Sequence, residues 1–459
     1  MEKMTRNKRM LVFSMLLLLG VPSCAQDAPH GENGTKPEPP SEKPVVEQVE
    51  VVFDHPCAYV NAEDLDRVCR RISGKDESDP VYASWLEFSQ NEWAQETIRP
   101  SALETVVRGD PKGTGTTENY ILCARQAAAA FQLALRWKLS GEEKYAESAR
   151  AILNEWAQVN KRITANDSNQ YLLAGFQGYT FANAAELLRD YGKWTSTEQG
   201  RFKTWLKEVW YAKNHWFLEN HGGPHVCDLH YWSNWELANL ASVLAIGIYL
   251  EDQVMVNEVN TQFLSGKGSG ALSNLVPFDP VPDPDGSGGM IAQCMESGRD
   301  QGHATLCVSL VAELCRMAQN IGLDFWEADG NRVLAMAEYV AKYNVRPDGA
   351  FLPGTMPFTE YRYCMGCSCG NQTHGAVHST VSANARGKER PGWELIRTHY
   401  VREKELPESA CHYSALFAAQ LRYRDGVLTG DGGAGDLRYG TASGAFDQLG
   451  WGTLLFYDE

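Results

Sequence analysis

Basic residues are scarce in this chain of 459 residues: 42 lysines and arginines stand against 58 aspartates and glutamates, which leaves a formal net charge of −16. Sequence-independent binding of nucleic acid relies on a basic surface, so this composition argues against a nucleic-acid partner. Apolar material is not lacking, because 43% of the residues are hydrophobic and 10% are aromatic. That share can fill a large core and excludes global disorder.

Hydrophobic runs long enough to cross a membrane are also missing, and this includes the apolar run near the N-terminus. Residues 10–20 are apolar but too short to span a bilayer comfortably, and four basic residues precede them within the first nine positions. Small residues then lead to Cys24, an order that predicts a lipoprotein signal peptide over residues 1–23 and a lipid on Cys24. An ordinary secretory signal with a chance cysteine is the alternative.

This leader predicts an exported protein, anchored by lipid to a bacterial outer membrane at the periplasmic face or the cell surface. The lipid on Cys24 would be its only contact with the membrane. Residues 24–50 are rich in Pro, Glu, Lys and Gly and predict a flexible tether, so the folded part is expected over residues 51–459. Without residues 1–23, which carry four basic residues and one acidic residue, the net charge becomes −19.

Sustained period-two alternation and fixed-period repeats are absent as well, so few strands are expected and a repeat solenoid is not indicated. Amphipathic patterns instead predict successive helices over 119–139, 143–158, 172–191, 197–212, 234–250, 301–321, 330–343, 393–404 and 411–424. Many helical hairpins in one chain can close into a ring. We therefore predict an all-α fold, an α/α toroid (an incomplete helical barrel) with few short strands, as a monomeric catalytic domain.

A disulfide framework is not expected, because the chain is too large to need one and the 11 cysteines beyond Cys24 are an odd number, although some can pair in an exported protein. Those inside apolar helical patterns, Cys123, Cys307 and Cys315, are expected to be small buried hydrophobes. A second group is packed into a short loop and supplies the side chains that zinc prefers: Cys364, Cys367, Cys369 and His374. A structural zinc site and a disulfide with a free thiol are both open for this group.

Polar side chains crowd next to apolar helices in three segments, residues 220–236, 296–303 and 359–363. In the second segment a continuous helix would place Arg299 and His303 on one face, and Glu296 and Asp300 on another. The glycines at 298 and 302 predict a close approach by a neighbouring backbone or a ligand. An arginine and a histidine entering an apolar helix indicate a site as readily as a structural pair.

Taken together, several long motifs resemble the alginate-lyase-like polysaccharide lyases. The two densest are HYWSNWELANLASVLAIGIYLED from residue 230 and ESGRDQGHATLCVSLVAELCRMAQNIGLDFW from residue 296. LAGFQGYTFANAAELLR, RGKERPGWELIRTHYV and the C-terminal FDQLGWGTLLFYDE add to the likeness. The resemblance runs from about residue 55 to the end and implies an α/α toroid that cleaves uronic-acid polysaccharides by β-elimination, without a required cofactor.

The sequence departs from the better-known branch of that family at two catalytic positions. That branch has Asn-Asn-His where this chain has Ser233-Asn234-Trp235, and an acidic Tyr seven residues beyond the Arg, where Leu306 stands here. The resemblance therefore carries Asn234 and Arg299 over as groups that neutralise the substrate carboxylate. His303 and Tyr361 are the predicted base and acid, with Tyr363 as the alternative tyrosine. These departures fit a divergent branch that acts on alginate or glucuronan.

The residue types suit the chemistry. A lyase must neutralise the uronate carboxylate, take the C5 proton and protonate the leaving oxygen, tasks for Asn or Arg, for His and for Tyr. Further side chains are predicted to bind the substrate: Gln177, His230, Tyr231, Trp235, Tyr363 and Arg386. Because the net charge is negative and the substrate anionic, the cleft should be locally basic, through Arg299, Arg362, Arg386, Lys388 and Arg390.

Two other functions remain open at this point. A glycoside hydrolase on the same toroid would need two carboxylates, which Glu296, Asp300 or the acidic loop over 279–285 can supply. That loop is also a weak calcium candidate, although its prolines argue against a regular EF-hand. A non-catalytic glycan-binding lipoprotein is the third possibility, and it leaves the pairing of Arg299 with His303 unexplained.

Overall fold

Fifteen α-helices, together with short 3-10 and π-helical turns, make up most of the part of the chain that the computed structural model describes, residues 47–109, 117–165, 167–221, 228–362 and 377–459. In chain order they are α1 (Ala62–Gly74), α2 (Pro80–Gln90), α3 (Tyr120–Ser140), α4 (Glu143–Val159), α5 (Asn169–Leu188), α6 (Ser196–Trp205), α7 (Ala212–Asn220), α8 (Ser233–Leu250), α9 (Gln253–Ser265), α10 (Leu272–Leu275), α11 (Gln301–Gln319), α12 (Ala328–Asn344), α13 (Trp393–Arg397), α14 (His412–Leu421) and α15 (Gly452–Phe456). π-Helical turns extend two of these helices, Leu206–Tyr211 between α6 and α7, and Thr398–Glu403 after α13.

The strands of the described residues are short and pair two by two. They are β1 (Thr105–Val107), β2 (Arg162–Thr164), β3 (Val281–Pro282), β4 (Met290–Ile291), β5 (Tyr361–Arg362), β6 (Val377–His378), β7 (Tyr423–Arg424) and β8 (Val427–Leu428). β1 and β2 are parallel, and the three later pairs are antiparallel. The expectation of few short strands is confirmed.

Within Pro44–Glu459, the unit that holds every described residue, the helices form a closed ring. Successive inner helices contact one another in the order α3, α5, α8, α11 and α13, and α15 and α1 complete the circuit back to α3. A second layer packs outside, where α4 contacts α3, α7 and α9 contact α8, and α12 contacts α11. This arrangement is the predicted α/α toroid.

The inner helices are apolar on nearly all sides because they are covered from both directions. Every residue of α5 from Leu172 to Leu188 is buried. Helices α5 and α8 pack closely at Gly175. A Cβ atom there would lie 2.8 Å from the Cβ of Ala238, so only glycine allows the two helices to pack at this distance.

All nine predicted helices are present, with ends displaced by a few residues. The pattern over 197–212 continues through a π-helical turn into α7, and the pattern over 393–404 also becomes π-helical after Arg397. Helix α12 is regular only from Arg332, because the three residues before it have positive φ angles. The three cysteines expected in the core, Cys123, Cys307 and Cys315, are buried and free.

The predicted signal peptide and the residues of the tether before 47 lie outside the described residues, as do Cys364, Cys367, Cys369 and His374. At the start of the described chain, the backbone N–H of Val49 donates to Asn257 Oδ1 at 2.8 Å, on α9. None of the helices in the described ranges combines the length and the apolar character needed to cross a bilayer.

Candidate active site

The polar segment before α11 does not form one continuous helix. Residues Met295–Gly298 make a 3-10 turn, and Asp300 is extended and caps α11, accepting a hydrogen bond from the backbone N–H of His303 at 2.9 Å. The predicted sharing of helix faces is therefore wrong, because the chain changes direction between Arg299 and Gln301. The structure pairs Glu296 with Arg299 and Asp300 with His303 instead.

Glu296 joins the two sequence motifs. Its carboxylate is fully buried, with Oε1 accepting a hydrogen bond from Asn234 Nδ2 at 2.7 Å and Oε2 accepting one from Arg299 Nη1 at 3.1 Å. Asn234 lies in the first turn of α8 and is itself buried. The two residues predicted to neutralise a substrate carboxylate thus share one acidic partner.

Arg299 is covered by an aromatic ring. Its guanidinium lies over Trp232, 4.8 Å from the ring centroid. The ring of His378 also contacts Trp232, with 5.6 Å between the two ring centroids. Arg299 Nε also lies 3.7 Å from Asp300 Oδ2. Stacking and ion pairing hold the guanidinium in one position beside Asn234.

The hairpin of β5 and β6 brings Tyr361 to this cluster, directly opposite His378 in the ladder. Burial, followed by the negative charge of Glu296, raises the pKa of Tyr361 to about 12. Burial lowers the pKa of His378, and its Nε2 atom is buried without a hydrogen-bond partner among the described residues. The hairpin fits because residue 298 is glycine: a Cβ there would lie 2.4 Å from the His378 Cβ.

His303 faces a different side of Asn234. Its Nδ1 lies 2.6 Å from Asp300 Oδ2. Burial would raise the pKa of Asp300, but the hydrogen bonds from His303 and the charge of Arg299 outweigh it and hold the pKa below its usual value. A neutral imidazole bound in this way can keep Nε2 free to accept a proton.

A cavity of about 260 Å³ lies beside this pair. Its lining residues come from six parts of the chain: Arg108, Leu172, Phe176, Asn234, Asp300, Gly302, His303, Leu306, Arg390, Ser443, Gly444 and Asp447. Asn234 and His303 therefore face one space. A larger surface cavity, of about 650 Å³, lies between α4 and α6 and is lined by none of the predicted site residues.

The charges around the cavity are balanced rather than basic. Arg390 lies 3.6 Å from Asp447 and donates to Gln448 Oε1 at 2.9 Å. Arg108 lies over the ring of Phe176 and donates to Ser443 Oγ at 3.0 Å. Two arginines and two aspartates line this cavity, so the locally basic cleft expected from the sequence is not found in its lining.

Of the predicted substrate-binding residues, four lie on the inner helices or at their entrances. Gln177 is buried on α5, where its Nε2 donates to Phe446 O at 3.3 Å. Tyr231 donates its hydroxyl to Ser168 Oγ and packs on Trp235 at 4.6 Å between centroids. His230 is buried beside Tyr231.

Arg386 is placed elsewhere. It stacks on Tyr343 and Phe351 and donates to Tyr343 O at 2.8 Å. Tyr363 lies outside the described residues, and so does the side chain of Arg362. These placements leave the binding roles of Arg386 and Tyr363 as predictions.

The carboxylates considered for a hydrolase are already engaged. Both oxygens of Glu296 and of Asp300 accept hydrogen bonds within the site. In the acidic loop, Asp283 and Asp285 each lie 2.5 Å from the buried ammonium of Lys342. A lysine therefore holds the position between these two carboxylates that a calcium ion would need.

Sequence reasoning did not place Arg108, Asp447 or His378 in the site. Arg108 is separated from the two densest motifs by more than a hundred residues, and no local pattern marks it, whereas Asp447 lies within the C-terminal motif FDQLGWGTLLFYDE. His378 stands in a polar stretch outside the helix motifs. A signal did exist for Glu296, which is three residues before Arg299.

Comparison with known proteins identifies the family to which these features belong. The family model described as alginate lyase matches residues 87–350. No curated protein sequence matches the chain significantly.

Among solved structures, an alginate lyase from Bacteroides ovatus shares the fold, with a TM-score of 0.54, 14% identity, and coverage of 82% of this chain and 98% of that chain. A variant of alginate lyase A1-III in its apo form gives a TM-score of 0.49 with 15% identity, covering 89% of this chain and 97% of that one. Alginate lyase A1-III from Sphingomonas species A1 gives 0.45 with 16% identity, covering 63% and 78%.

Proposed function

The chain belongs to the alginate lyase family and is a polysaccharide lyase, and from this premise we propose that it cleaves a 1,4-linked uronate polymer, alginate or glucuronan, by β-elimination. In this reaction a base takes the proton from C5 of a uronate. The electron pair forms the C4–C5 double bond, the C4–O4 bond breaks, and an acid protonates O4.

The proposal rests on one observation above all: Asn234 and Arg299 are fixed by the same buried carboxylate, Glu296. The C5 proton is barely acidic while the substrate carboxylate is fully anionic, so the enzyme must donate hydrogen bonds to that carboxylate. Asn234 has a second amide hydrogen and Arg299 has further N–H groups beyond those that Glu296 accepts. Their fixed positions reduce the cost of orienting these donors on the substrate.

His303 takes the C5 proton in this scheme. The support is its contact with Asp300 at 2.6 Å and its position in the same cavity as Asn234. Asp300 acts through His303, because a carboxylate on Nδ1 favours the tautomer with a free Nε2 and stabilises the imidazolium that forms.

Tyr361 protonates the leaving oxygen. Since its pKa is raised to about 12, the hydroxyl carries its proton at any ordinary pH and is available as an acid. Gln177, His230, Tyr231 and Trp235 contact neighbouring sugar units, and Tyr363 and Arg386 are further candidates for binding the substrate. No step in this scheme requires a metal or another cofactor.

The decisive experiment incubates the purified protein with alginate, glucuronan, pectin and glycosaminoglycans and follows the ultraviolet absorbance of unsaturated uronate. We expect absorbance to rise with alginate or glucuronan. New reducing ends without an absorbing product would show hydrolysis instead, and no product from any polyuronate would reject the substrate class.

We also propose that the lipid on Cys24 anchors the enzyme, as a monomer, to a bacterial outer membrane. The support is the order of basic residues, apolar run and small residues before Cys24. Cys24→Ala should release the protein from the membrane fraction after export. Retention of this variant in the membrane would reject the anchor.

A further inference from the structure

The segment before α1 meets the inner helices at the end opposite the candidate active site. His55 and Cys57 reach Glu186 in the last turn of α5 and Glu251 just after α8. Helix α8 has 18 residues, so this end lies roughly 27 Å from the end that carries Asn234. Groups here therefore have no part in the chemistry proposed above.

Three potential metal ligands converge at this point. His55 Nδ1 lies 2.6 Å from Glu186 Oε1 and 3.6 Å from Cys57 Sγ, and the ligand atoms of all three residues lie within 4.8 Å of one another. Cys57 and Glu186 are buried, while 18% of the His55 side chain is exposed. Solvent therefore reaches the cluster only beside the imidazole of His55.

The donor types and spacing suit zinc. Zinc binds imidazole nitrogen, thiolate sulfur and carboxylate oxygen in tetrahedral geometry, which places nitrogen and sulfur ligands about 3.5 Å apart and nitrogen and oxygen ligands about 3.3 Å apart. The distance between Sγ and Nδ1 already has this value. The distance between Nδ1 and Oε1 has to widen by less than 1 Å, by a small rotation of the partly exposed imidazole.

The surroundings of the imidazole are those of a metal-bound histidine. The other nitrogen of His55, Nε2, lies 3.0 Å from Glu251 Oε1, and a carboxylate at this position orients the ring and makes the ligating nitrogen more basic. Arg189 pairs with Glu186 Oε2 at 3.1 Å and with Glu251 Oε1 at 3.2 Å, which fixes both carboxylates.

The ends of two helices also favour a cation here. The C-terminal ends of α5 and α8 both point here, and helix C-termini favour positive charge.

We propose that His55, Cys57 and Glu186 form a zinc site, with Glu251 as the orienting residue and a water as the fourth ligand. Its role is structural: it fastens the segment before α1 to the ends of α5 and α8. The ligands of this site include none of the cysteines predicted as a group at 364–369.

The test compares the zinc content per chain of the wild type with that of single variants. The purified full-length protein is stripped with a chelator, reloaded with zinc, freed of excess metal by gel filtration and analysed by mass spectrometry. We expect Cys57→Ser and His55→Gln each to hold one zinc fewer per chain than the wild type. Cys69→Ser, which removes a half-buried thiol outside the cluster, should hold as much as the wild type.

Cobalt gives an independent signature. Loading with Co²⁺ should produce a thiolate-to-cobalt charge-transfer band whose intensity falls in Cys57→Ser and is unchanged in Cys69→Ser. Glu251→Gln should bind zinc about 10- to 100-fold more weakly, with the stoichiometry retained at saturation.

Circular dichroism confirms that each variant is folded. If Cys57→Ser does not fold, His55→Gln still tests the site, because His55 is partly exposed. A wild type that holds no zinc, or variants that hold as much as the wild type, would overturn the site. The cluster would then be only the hydrogen-bonded network of His55 with its two carboxylates.

Discussion

Asp300 contacts His303 twice, with Oδ2 2.6 Å from the ring Nδ1 and Oδ1 accepting the backbone N–H at 2.9 Å. The second contact caps α11, and asparagine caps a helix as well as aspartate does. Asp300→Asn therefore keeps the cap but presents an amide N–H to Nδ1. The imidazole must then carry its proton on Nε2, where it can no longer accept one.

We expect Asp300→Asn to lower kcat on the preferred polyuronate by about 10²- to 10⁴-fold, the usual value of a general base. Its free energy of unfolding should change by less than about 1 kcal/mol. Initial rates of absorbance and urea unfolding measure the two effects. Asp190→Asn, at an exposed carboxylate paired with Lys138, is the control. An unchanged kcat in Asp300→Asn would exclude His303 as the base.

Tyr361→Phe tests the acid. Phenylalanine keeps the edge contact with Phe278, at 6.2 Å between centroids, and removes only the hydroxyl. We expect kcat to fall by about 10²- to 10⁴-fold with little change in melting temperature. Tyr423→Phe, at an exposed tyrosine, should be fully active.

The pH profile of the wild type offers a second check on Tyr361. Because the pKa of Tyr361 is about 12, this hydroxyl stays protonated up to about pH 10, and its ionisation should not reduce kcat in that pH range. A loss of activity near pH 8 that is absent from Tyr361→Phe would contradict the assignment.

The sequence predicted the ring of helices better than it predicted the site. Long apolar patterns such as those of α5 and α8 mark inner helices directly, since burial on all sides leaves a nearly continuous apolar run. Helix α1 was missed although Asn61 and Asp64 form a capping box, a signal that the sequence does contain.

Within the site, the family resemblance supplied Asn234 and Arg299, but not their common partner. Glu296 lies 62 positions beyond Asn234, and their hydrogen bond depends on how the turn before α11 packs on α8. The face-sharing prediction was wrong for a local reason, the extended backbone of Asp300. Long-range packing and a single break in a helix cannot be predicted from one sequence.

Glu296→Gln tests the shared carboxylate. The glutamine oxygen can still accept from Asn234 Nδ2, but Arg299 loses its charged partner and can swing toward Asp300, from which its Nε is 3.7 Å. We expect kcat to fall by about 10- to 100-fold because a neutralising donor is displaced, while KM changes less. The free energy of unfolding should fall by about 1–3 kcal/mol.

Comparing the activities of Glu296→Gln and His303→Ala distinguishes a lyase from a hydrolase. If Glu296 were instead the acid of a hydrolase, Glu296→Gln would abolish activity while His303→Ala would leave it intact. A lyase should lose activity in both variants, and more in His303→Ala.

A buried carboxyl group on α11 makes stability depend on pH. Burial raises the pKa of Glu313 to about 7. The backbone N–H groups of Leu449 and Gly450, which donate to Oε1 at 2.9 and 3.1 Å, lower this pKa but do not outweigh burial. The folded state therefore binds a proton that the unfolded chain has released above about pH 4.5. The stabilisation is complete below that pH and is lost as pH rises through about 7.

Urea unfolding at pH 5, 6.5 and 8 measures this contribution. We expect the wild type to lose about 2–3 kcal/mol more than Glu313→Gln between pH 5 and pH 8. Glu77→Gln, at an exposed residue, should follow the wild type. Parallel curves for the wild type and Glu313→Gln would show that Glu313 is ionised in the folded protein.

Gly298→Ala tests whether the β5–β6 hairpin must lie against the turn before α11. Position 298 has no positive φ, so alanine is compatible with the backbone, and any effect comes from the added methyl group. That methyl would lie 2.4 Å from His378 Cβ and 3.1 Å from Phe358 Cζ, distances that force the hairpin away. Tyr361, opposite His378 in the ladder, has to move with it.

A displacement of about 1 Å at a catalytic group costs about 10²-fold in rate, so we expect kcat to fall by this order in Gly298→Ala. Gly200→Ala is the matched control, because a Cβ there meets no atom within 4 Å and alanine favours helix α6. Full activity in Gly298→Ala, with its melting temperature lowered, would show that the hairpin is only structural. Tyr361 would then lose its place in the reaction, since a misplaced acid cannot protonate O4.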